Sequence, residues 1–240
     1  GGMGASVHGS HRIATDSTCM AMPETKIGYF PDVGASYFLN QCPGFTGLYL
    51  GLTGKSIDAS DALYVGWATH YVPLKHWDSL KKIVADDTIE KALYLSESLE
   101  SSWLQNHRKD IDDHFSHPSL EEIFDSLKTS STAFAQETLH LLNKRCPLSL
   151  KITFRQLKES KGKSFEAIMQ KEYALSQVFV ENQDFFEGIR AVIIDKDHVP
   201  HWQHKTIYDV KEKDINLFFN SKNHNENFKT PLVFNETYLS

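Results

Sequence analysis

The pattern of apolar and polar positions changes character near residue 76. Beyond that point apolar residues recur at three- and four-residue spacing, as in "SLEEIFDSLKTSS" (119–131) and "AFAQETLHLLNKRCP" (133–147). This period is typical of amphipathic helices. It continues through 147–163, with Ser149 as the expected cap and Gly162 as the stop, through 164–181, and through 184–197, where Asp184 is the expected cap. The second part of the chain is therefore predicted to be helical.

Before residue 76 the apolar runs are short and interrupted by glycine. The stretch "HRIATDSTCMAMPE" (11–24) predicts brief strands, and "THYV" (69–72) predicts another. A short helix is predicted in "ASYFLNQCPG" (35–44), with Asp32 as its N-cap. A helix, a turn and a second helix follow over 47–66, the second one capped by Asp58 or Ser60 and ended by Gly66.

These patterns divide the chain into residues 1–75, which carry the candidate chemistry, a helical region 76–215, and an asparagine-rich segment 216–240 without periodicity. We expect the last segment to be a mobile tail. The chain opens "GGMGASVHGSHR", without an initiator methionine and with the look of a loop interior. We therefore expect it to be a piece of a longer protein, with further chain upstream.

Composition narrows the functional classes. The formal net charge is −6, which disfavours intrinsic affinity for nucleic acid or an anionic membrane. Apolar runs stay below the roughly 18 residues that a membrane-spanning helix requires. The three widely spaced cysteines suit a reducing compartment and form no zinc-binding pattern.

Two acids in an apolar setting are the strongest chemical signal. "MPETKIGYFPDVGASYFL" (22–39) places Glu24 and Asp32 eight positions apart. Carboxylates are seldom buried unless they are paired or take part in chemistry. A second signal is the glycine-rich start, where Gly1 and Gly2 precede a helix candidate whose free N–H groups suit an oxyanion. The alternatives are a surface role for Glu24, an N-cap role for Asp32 and a plain tight turn at the start.

The order of these motifs resembles the crotonase (enoyl-CoA hydratase/isomerase) superfamily. "GGMG", "AMPETKIG", "FPDVG", "LTG" and "DALYVGWATHYVP" follow one another as in that family, and "PLSLKITFRQL", "EYALSQ" and "FFEGIRAVIIDKD" extend the resemblance to about residue 210. It implies an α/β fold: a crotonase-like spiral of ββα turns, incomplete at the N-terminus, followed by a helical C-terminal region. It also implies acyl-CoA thioesters as substrates.

Individual positions indicate a subfamily. Hydratases of this superfamily carry a glutamate where this chain has Gly4, whereas the subfamily that hydrolyses 3-hydroxyisobutyryl-CoA carries the acids that match Glu24 and Asp32. The resemblance assigns Gly1, with Gly2 beside it, to the oxyanion hole. It places the second N–H donor and a further substrate-contacting glutamate upstream of residue 1, so the present segment alone is expected to be incomplete as an enzyme.

The implied function is hydrolysis of 3-hydroxyisobutyryl-CoA, or of a related short 3-hydroxyacyl-CoA thioester, to the free acid and CoA in valine catabolism. Glu24 would act as a general base on water or attack the carbonyl to give an anhydride, and both routes stay open. Asp32 would position water, shuttle a proton or orient the substrate hydroxyl. The alternatives are an enoyl-CoA hydratase or isomerase of the same fold and an inactive CoA-binding or assembly module.

The remaining motifs favour plain roles. Ser10 between two histidines lacks the G-x-S-x-G turn of a nucleophilic serine. His198, His201 and His204 lack a completing acid or cysteine, so no metal site is predicted, and CoA enters only as part of the substrate. The "EGIR" motif (187–190) predicts helix packing and an ion pair. The resemblance is compatible with a homo-oligomer and with a cytoplasmic location, or the mitochondrial matrix in a eukaryote.

Overall fold

The computed structural model describes residues 2–220. Two short strands, β1 (Ile13–Ala14) and β2 (His70–Tyr71), pair in parallel with Ile13 opposite His70. Met20 and Ile57 form an isolated antiparallel bridge. The short strands expected in 11–24 and 69–72 are confirmed, each with a core of two residues. The chain between them returns through helices, as a parallel pair requires.

Helices make up most of the described chain. The first group is α1 (Met3–Ser6), a 3-10 helix (Glu24–Ile27), α2 (Ala35–Leu39), α3 (Thr46–Thr53) and α4 (Ala59–Tyr64). The helices that follow β2 are α5 (Trp77–Asp86), α6 (Ile89–Ala92), α7 (Trp103–Asn106), α8 (Arg108–Phe115), α9 (Leu120–Thr129), α10 (Ala133–Asn143), α11 (Pro147–Ser160), α12 (Phe165–Phe179), α13 (Gln183–Ile189) and α14 (Glu212–Phe219). Shorter 3-10 turns lie at Leu74–His76 and Leu93–Leu95, and a π-helical turn follows α13 at Arg190–Ile194.

The cap of α4 agrees with the sequence. Asp58 accepts a hydrogen bond of 3.0 Å from the backbone N–H of Asp61, and the Ser60 hydroxyl donates to the same Asp58 oxygen. Gly66 follows the end of α4 with a φ of +79°, the left-handed backbone that glycine adopts without strain. This helix is confirmed with its start and its stop.

Two other predicted caps are wrong, the first by three residues and the second by two. The N-cap of α11 is Cys146, with Pro147 at the first helical position, so Ser149 lies inside the helix. Proline suits that position because its missing N–H would have no partner there. The N-cap of α13 is Asn182, whose side chain accepts from the backbone N–H of Asp184. Asp184 is instead a buried residue of the first turn.

The main core joins the two parts of the chain that the sequence separates at residue 75. Tyr49 of α3 is buried between Phe115 of α8 and Phe134 of α10, with ring centroids 5.3 Å and 5.8 Å away. One continuous cluster of buried residues runs from Val7 to Ile207. The division at residue 75 therefore stays a prediction from the sequence pattern, since buried side chains from both parts pack in one core.

A second core cluster holds the end of the described chain. Phe179 of α12 lies between Phe30 and Phe218, with ring centroids 5.0 Å and 4.6 Å away. Phe218 belongs to α14, which packs on α11 and α12. The expectation of a mobile tail over 216–240 is thus wrong for 216–219, because these residues belong to a helix that buries Ile215 and Phe218, three positions apart, on one face. The segment 221–240 lies outside the described residues.

Candidate active site

Glu24 opens the 3-10 helix Glu24–Ile27, which buried hydrogen bonds fix to the core. The hydroxyl of Thr25, fully buried, donates to the carbonyl of Leu52 over 3.1 Å. The carbonyl of Thr25 accepts from the N–H of Cys146 over 2.9 Å, just before α11. The backbone beside Glu24 is therefore tied to both parts of the chain, which limits the movement of its side chain.

Helix α13 presses on the same 3-10 helix. A Cβ added at Gly188 would come within 2.1 Å of the carbonyl oxygen of Ile27, so only glycine permits this approach. Glu187 and Arg190, the outer members of the "EGIR" motif, form an ion pair with a 2.8 Å N···O distance. The expectation that this motif supplies helix packing and an ion pair is confirmed.

The environment of Glu24 favours its neutral form. Burial, and in addition the negative charge of Asp32, raises the pKa of Glu24 from 4.5 to about 7. Among the residues that the structure describes, the buried Oε2 atom of Glu24 has no hydrogen-bond partner. A carboxyl group with a free oxygen and a pKa near neutrality is suited to accept a proton or to attack a carbonyl carbon.

Asp32 lies at an unusual turn. Burial raises its pKa as well. It is followed by Val33 with a φ of +55° and Gly34 with a φ of +84°, and a β-branched residue at positive φ is a strained conformation. The N-cap of helix α2 is Gly34. Because glycine has no side chain, the cap residue itself accepts no hydrogen bond from the first turn. The expected N-cap role of Asp32 is therefore wrong, because the left-handed turn separates its side chain from the helix start.

A third acid performs the capping instead. Glu172 of α12 accepts hydrogen bonds from the backbone N–H groups of Gly34, over 2.7 Å, and Ser36, over 2.9 Å. Gln156 of α11 donates from Nε2 to the carbonyl of Pro31, over 3.1 Å, and to the hydroxyl of Ser36, over 2.6 Å. No motif in the sequence singles out Glu172 or Gln156. The signal available was a charged residue and an amide at inward positions of strongly periodic helices.

The phenol of Tyr29 is influenced by the same acidic residues. Its pKa is raised by burial first and then by the negative charges of Asp32, Glu172 and Glu24. Its backbone N–H donates to the carbonyl of Glu24 over 3.0 Å. The negative charges of the three carboxyl groups therefore all act on one phenol, and that of Asp32 acts on Glu24 as well.

The front of the chain contacts the Asp32 turn. Gly2, with a φ of +86°, is the N-cap of α1, and Gly1 lies outside the described residues. A Cβ at Gly4 would lie 2.5 Å from the Cβ of Val33, so α1 packs directly on the residue after Asp32. The oxyanion role expected of Gly1 and Gly2 stays a prediction.

Two of the three histidines in 198–204 make contacts with nearby acidic residues. The backbone N–H of His201 donates to Glu187, and the Nε2 atom of His204 lies 3.6 Å from a carboxylate oxygen of Asp214. Within residues 2–220 no group of three or more histidines, cysteines, aspartates or glutamates is arranged to hold a metal ion. The same residues include no helix of the length and apolarity that crossing a membrane requires.

Comparison with known proteins gives the family. Residues 1–219 match the family model described as enoyl-CoA hydratase/isomerase. The chain is 41% identical over 233 residues to the mitochondrial 3-hydroxyisobutyryl-CoA hydrolase of Danio rerio, covering 92% of this chain and 61% of that protein. It is 41% identical to the Homo sapiens protein of the same name, covering 92% of this chain and 60% of that one. The chain thus spans about three fifths of the length of these curated relatives.

Solved structures share its architecture. The crystal structure of a carnitinyl-CoA dehydratase from Mycobacterium thermoresistibile superimposes with a TM-score of 0.90 at 32% identity, covering 98% of this chain and 67% of that one. An enoyl-CoA hydratase from Rhodobacter sphaeroides gives a TM-score of 0.83, also at 32% identity, over 90% of this chain and 64% of its own. The crotonase-like α/β fold expected from the motifs is confirmed. With a family model that matches nearly all of its described residues, the chain belongs to the enoyl-CoA hydratase/isomerase family.

Proposed function

We propose that the protein carrying this chain hydrolyses 3-hydroxyisobutyryl-CoA, or a related short 3-hydroxyacyl-CoA thioester, to the free acid and CoA. Relatives at 41% identity bear the name of that hydrolase, whose reaction belongs to valine catabolism. The observation that carries the proposal is the buried carboxyl group of Glu24, with its pKa raised to about 7 beside Asp32.

The chemistry of Glu24 follows from that pKa. Hydrolysis forms a C–O bond from water, breaks the C–S bond and leaves a proton on the departing sulfur. Near neutral pH a carboxyl group with a pKa of about 7 is partly ionised, basic enough to take a proton from water and able to return it to the thiolate. The ionised form could also attack the carbonyl and give an anhydride that water then opens. Both routes use the same group.

Asp32 and the front of the chain supply the remaining parts. Asp32 would position the water or orient the 3-hydroxyl group of the substrate. The backbone N–H groups at Gly1 and Gly2 would stabilise the oxyanion, and one such donor is typically worth about 10²–10³ in rate. The packing of Gly4 on Val33 supports this arrangement, because it brings α1 against the Asp32 turn.

Enoyl-CoA hydration is the second candidate, favoured by the structural relative from Rhodobacter sphaeroides, an enoyl-CoA hydratase. Position 4 argues against it. The catalytic glutamate expected there in hydratases would need a side chain where Val33 already lies 2.5 Å from a would-be Cβ. With that position closed, the second acid of a hydratase is missing and the hydrolase stays the better fit.

The proposed function also concerns the cofactor, the cellular location and the oligomeric state. CoA is part of the substrate, and no further cofactor is proposed. The names of the curated relatives favour a mitochondrial location over the cytoplasmic one expected from the sequence. Assembly into a homo-oligomer is proposed only by analogy with the superfamily.

A thiol-release assay tests the function. The protein that carries this chain is given 3-hydroxyisobutyryl-CoA and crotonyl-CoA in parallel, and free CoA is measured with a thiol reagent while loss of the enoyl absorbance reports hydration. We expect CoA release from the first substrate and little change in the second. Rapid hydration of crotonyl-CoA without CoA release would favour the hydratase, and binding of both thioesters without turnover would favour an inactive CoA-binding module.

A further inference from the structure

The direction of the Asp32 side chain depends on a turn whose backbone conformation is unfavourable without contacts from the rest of the protein. Val33 has a φ of +55° and Gly34 a φ of +84°, so the backbone leaves Asp32 through two left-handed residues in succession. Valine is among the residues least suited to this conformation, and such strain persists only where the surroundings impose it. Something outside the turn must therefore fix it.

Glu172 meets that requirement. It is 3% exposed, and its two carboxylate oxygens accept from the N–H groups of Gly34 and Ser36, over 2.7 Å and 2.9 Å. These two donors flank the residue at which the chain leaves the turn and enters α2. Burial raises the pKa of Glu172, and the hydrogen bonds from Ser36 and Gly34 act in the opposite direction because they favour the ionised carboxylate.

Gln156 closes the other side of the turn. It is fully buried, and its Nε2 atom donates to the carbonyl of Pro31 and the hydroxyl of Ser36, with Glu172 at 3.4 Å. Pro31 directly precedes Asp32. The segment from Pro31 to Ser36 is therefore held at both ends by two side chains of the C-terminal helices.

We propose that Glu172, supported by Gln156, is a positioning residue for Asp32: it holds the left-handed turn so that the Asp32 carboxyl group faces Glu24. The expected loss of kcat rests on the hydrolytic function proposed above. The expected loosening of the turn rests on the geometry alone. Neither Glu172 nor Gln156 is assigned contact with the substrate.

A matched acid elsewhere separates this role from general stabilisation. Asp61 is 4% exposed and accepts from the N–H of Leu104, over 2.9 Å, and from the hydroxyl of Ser102, over 2.6 Å. Asp61 thus accepts from a backbone N–H in the first turn of α7, whose N-cap is Ser102, as Glu172 accepts at the start of α2. Replacing either acid by its amide removes one charged acceptor from a buried cap, so the comparison isolates the effect on Asp32.

The experiment compares Glu172→Gln with Asp61→Asn in the protein that carries this chain. Amide exchange at Gly34 and Ser36 is followed by NMR, and the Asp32 carboxyl is titrated by ¹³C NMR. In E172Q we expect exchange at the two amides to rise roughly tenfold to a hundredfold, as loss of a hydrogen bond to a charged group implies. The Asp32 pKa should fall toward its ordinary value, because burial raises it and a released turn admits water. Glu24 and Tyr29 are titrated alongside, being the other ionisable groups at this turn.

The kinetic readout is a split between kcat and KM. E172Q should lower kcat on 3-hydroxyisobutyryl-CoA at least about tenfold with a smaller change in KM, because displaced catalytic groups lose rate more than affinity. D61N should leave kcat, the two amides and the Asp32 titration near those of the unmodified protein. Equal losses of stability in both variants with an unchanged Asp32 titration and kcat in E172Q would overturn the proposal.

Two provisions keep the test decisive. If E172Q does not fold, Gln156→Met removes the donor to Pro31 and the Ser36 hydroxyl; exchange at Ser36 must then rise and the Asp32 pKa fall, and no change in either overturns the proposal. If the unmodified protein releases no CoA, the proposed function fails, while exchange and titration still decide whether Glu172 holds the turn.

Discussion

Glu24 is expected to cost the folded protein stability at neutral and alkaline pH. Its folded pKa of about 7 lies above the 4.5 of a free glutamate because burial disfavours the charged form and Asp32 adds repulsion. The folded chain thus binds this proton more tightly than the unfolded chain does. The free energy of unfolding must therefore fall as pH rises from about 4.5 to about 7, and stay lower above that.

The magnitude follows from the same two values. The difference between 4.5 and about 7 corresponds to about 3 kcal/mol in the free energy of unfolding. Glu24→Gln removes the charged form and with it this cost. We expect the variant to match the unmodified protein near pH 4.5 and to exceed its stability by up to about 3 kcal/mol above pH 8, while the catalytic rate falls at least about 10²-fold.

Urea unfolding followed by fluorescence of the four tryptophans measures this difference from about pH 4 to about pH 9. Glu181→Gln, at an exposed position, is the control, since an exposed carboxylate is hydrated in both the folded and the unfolded chain. Two parallel stability curves for E24Q and the unmodified protein across this range would refute the burial and charge environment assigned to Glu24. If the stability of E24Q relative to the unmodified protein fell as the pH rose, the refutation would be stronger.

Three further predictions concern the surroundings of this pair. Burial raises the Glu24 pKa most, and Asp32→Asn removes the charge that raises it further, so the acid limb of the pH–rate profile should move to lower pH and the rate should fall by at least about 10²; a limb at its original pH would show that the two groups are not coupled. Gly4→Ala places a Cβ against Val33 and should lower the free energy of unfolding by about 1–3 kcal/mol without creating crotonyl-CoA hydration; unchanged urea midpoints would mean that α1 does not contact the turn. Gly188→Ala meets a carbonyl oxygen of the 3-10 helix at 2.1 Å, so both stability and CoA release should drop, and retention of full activity would contradict the close packing of α13.

The helical half of the fold was predictable because its periodicity is long and regular. The patterns at 119–131 and 133–147 correspond to α9 and α10, and Asp58 caps α4 as its position suggests. The errors lie at ends of elements. Ser149 and Asp184 resemble caps by residue type, but Pro147 and Asn182 begin or cap those helices, since several suitable residues lie within one turn. Helix α14 was not predicted because it is short and depends on packing against α11 and α12.

The site was predictable only as residue types. Two acids in an apolar stretch, with the family motifs around them, indicated Glu24 and Asp32. Their pKa directions and the left-handed turn at Val33 depend on burial and on backbone angles that no spacing rule encodes. The predicted N-cap role of Asp32 failed for this reason, since an aspartate three positions before the first helical residue resembles a cap unless the turn geometry is known.

The sequence by itself determined which residue types are available for the chemistry, where the long helices run and to which family the motifs point. The tertiary structure alone decided that Glu172, 138 residues after Gly34, caps the helix beside Asp32, and that Gln156 holds the other side of the same turn. Periodicity records which face of a helix is apolar, a property of neighbours along the chain. Which backbone amide a buried acid meets is set by how distant helices pack, and in the sequence that acid looks the same as one facing water.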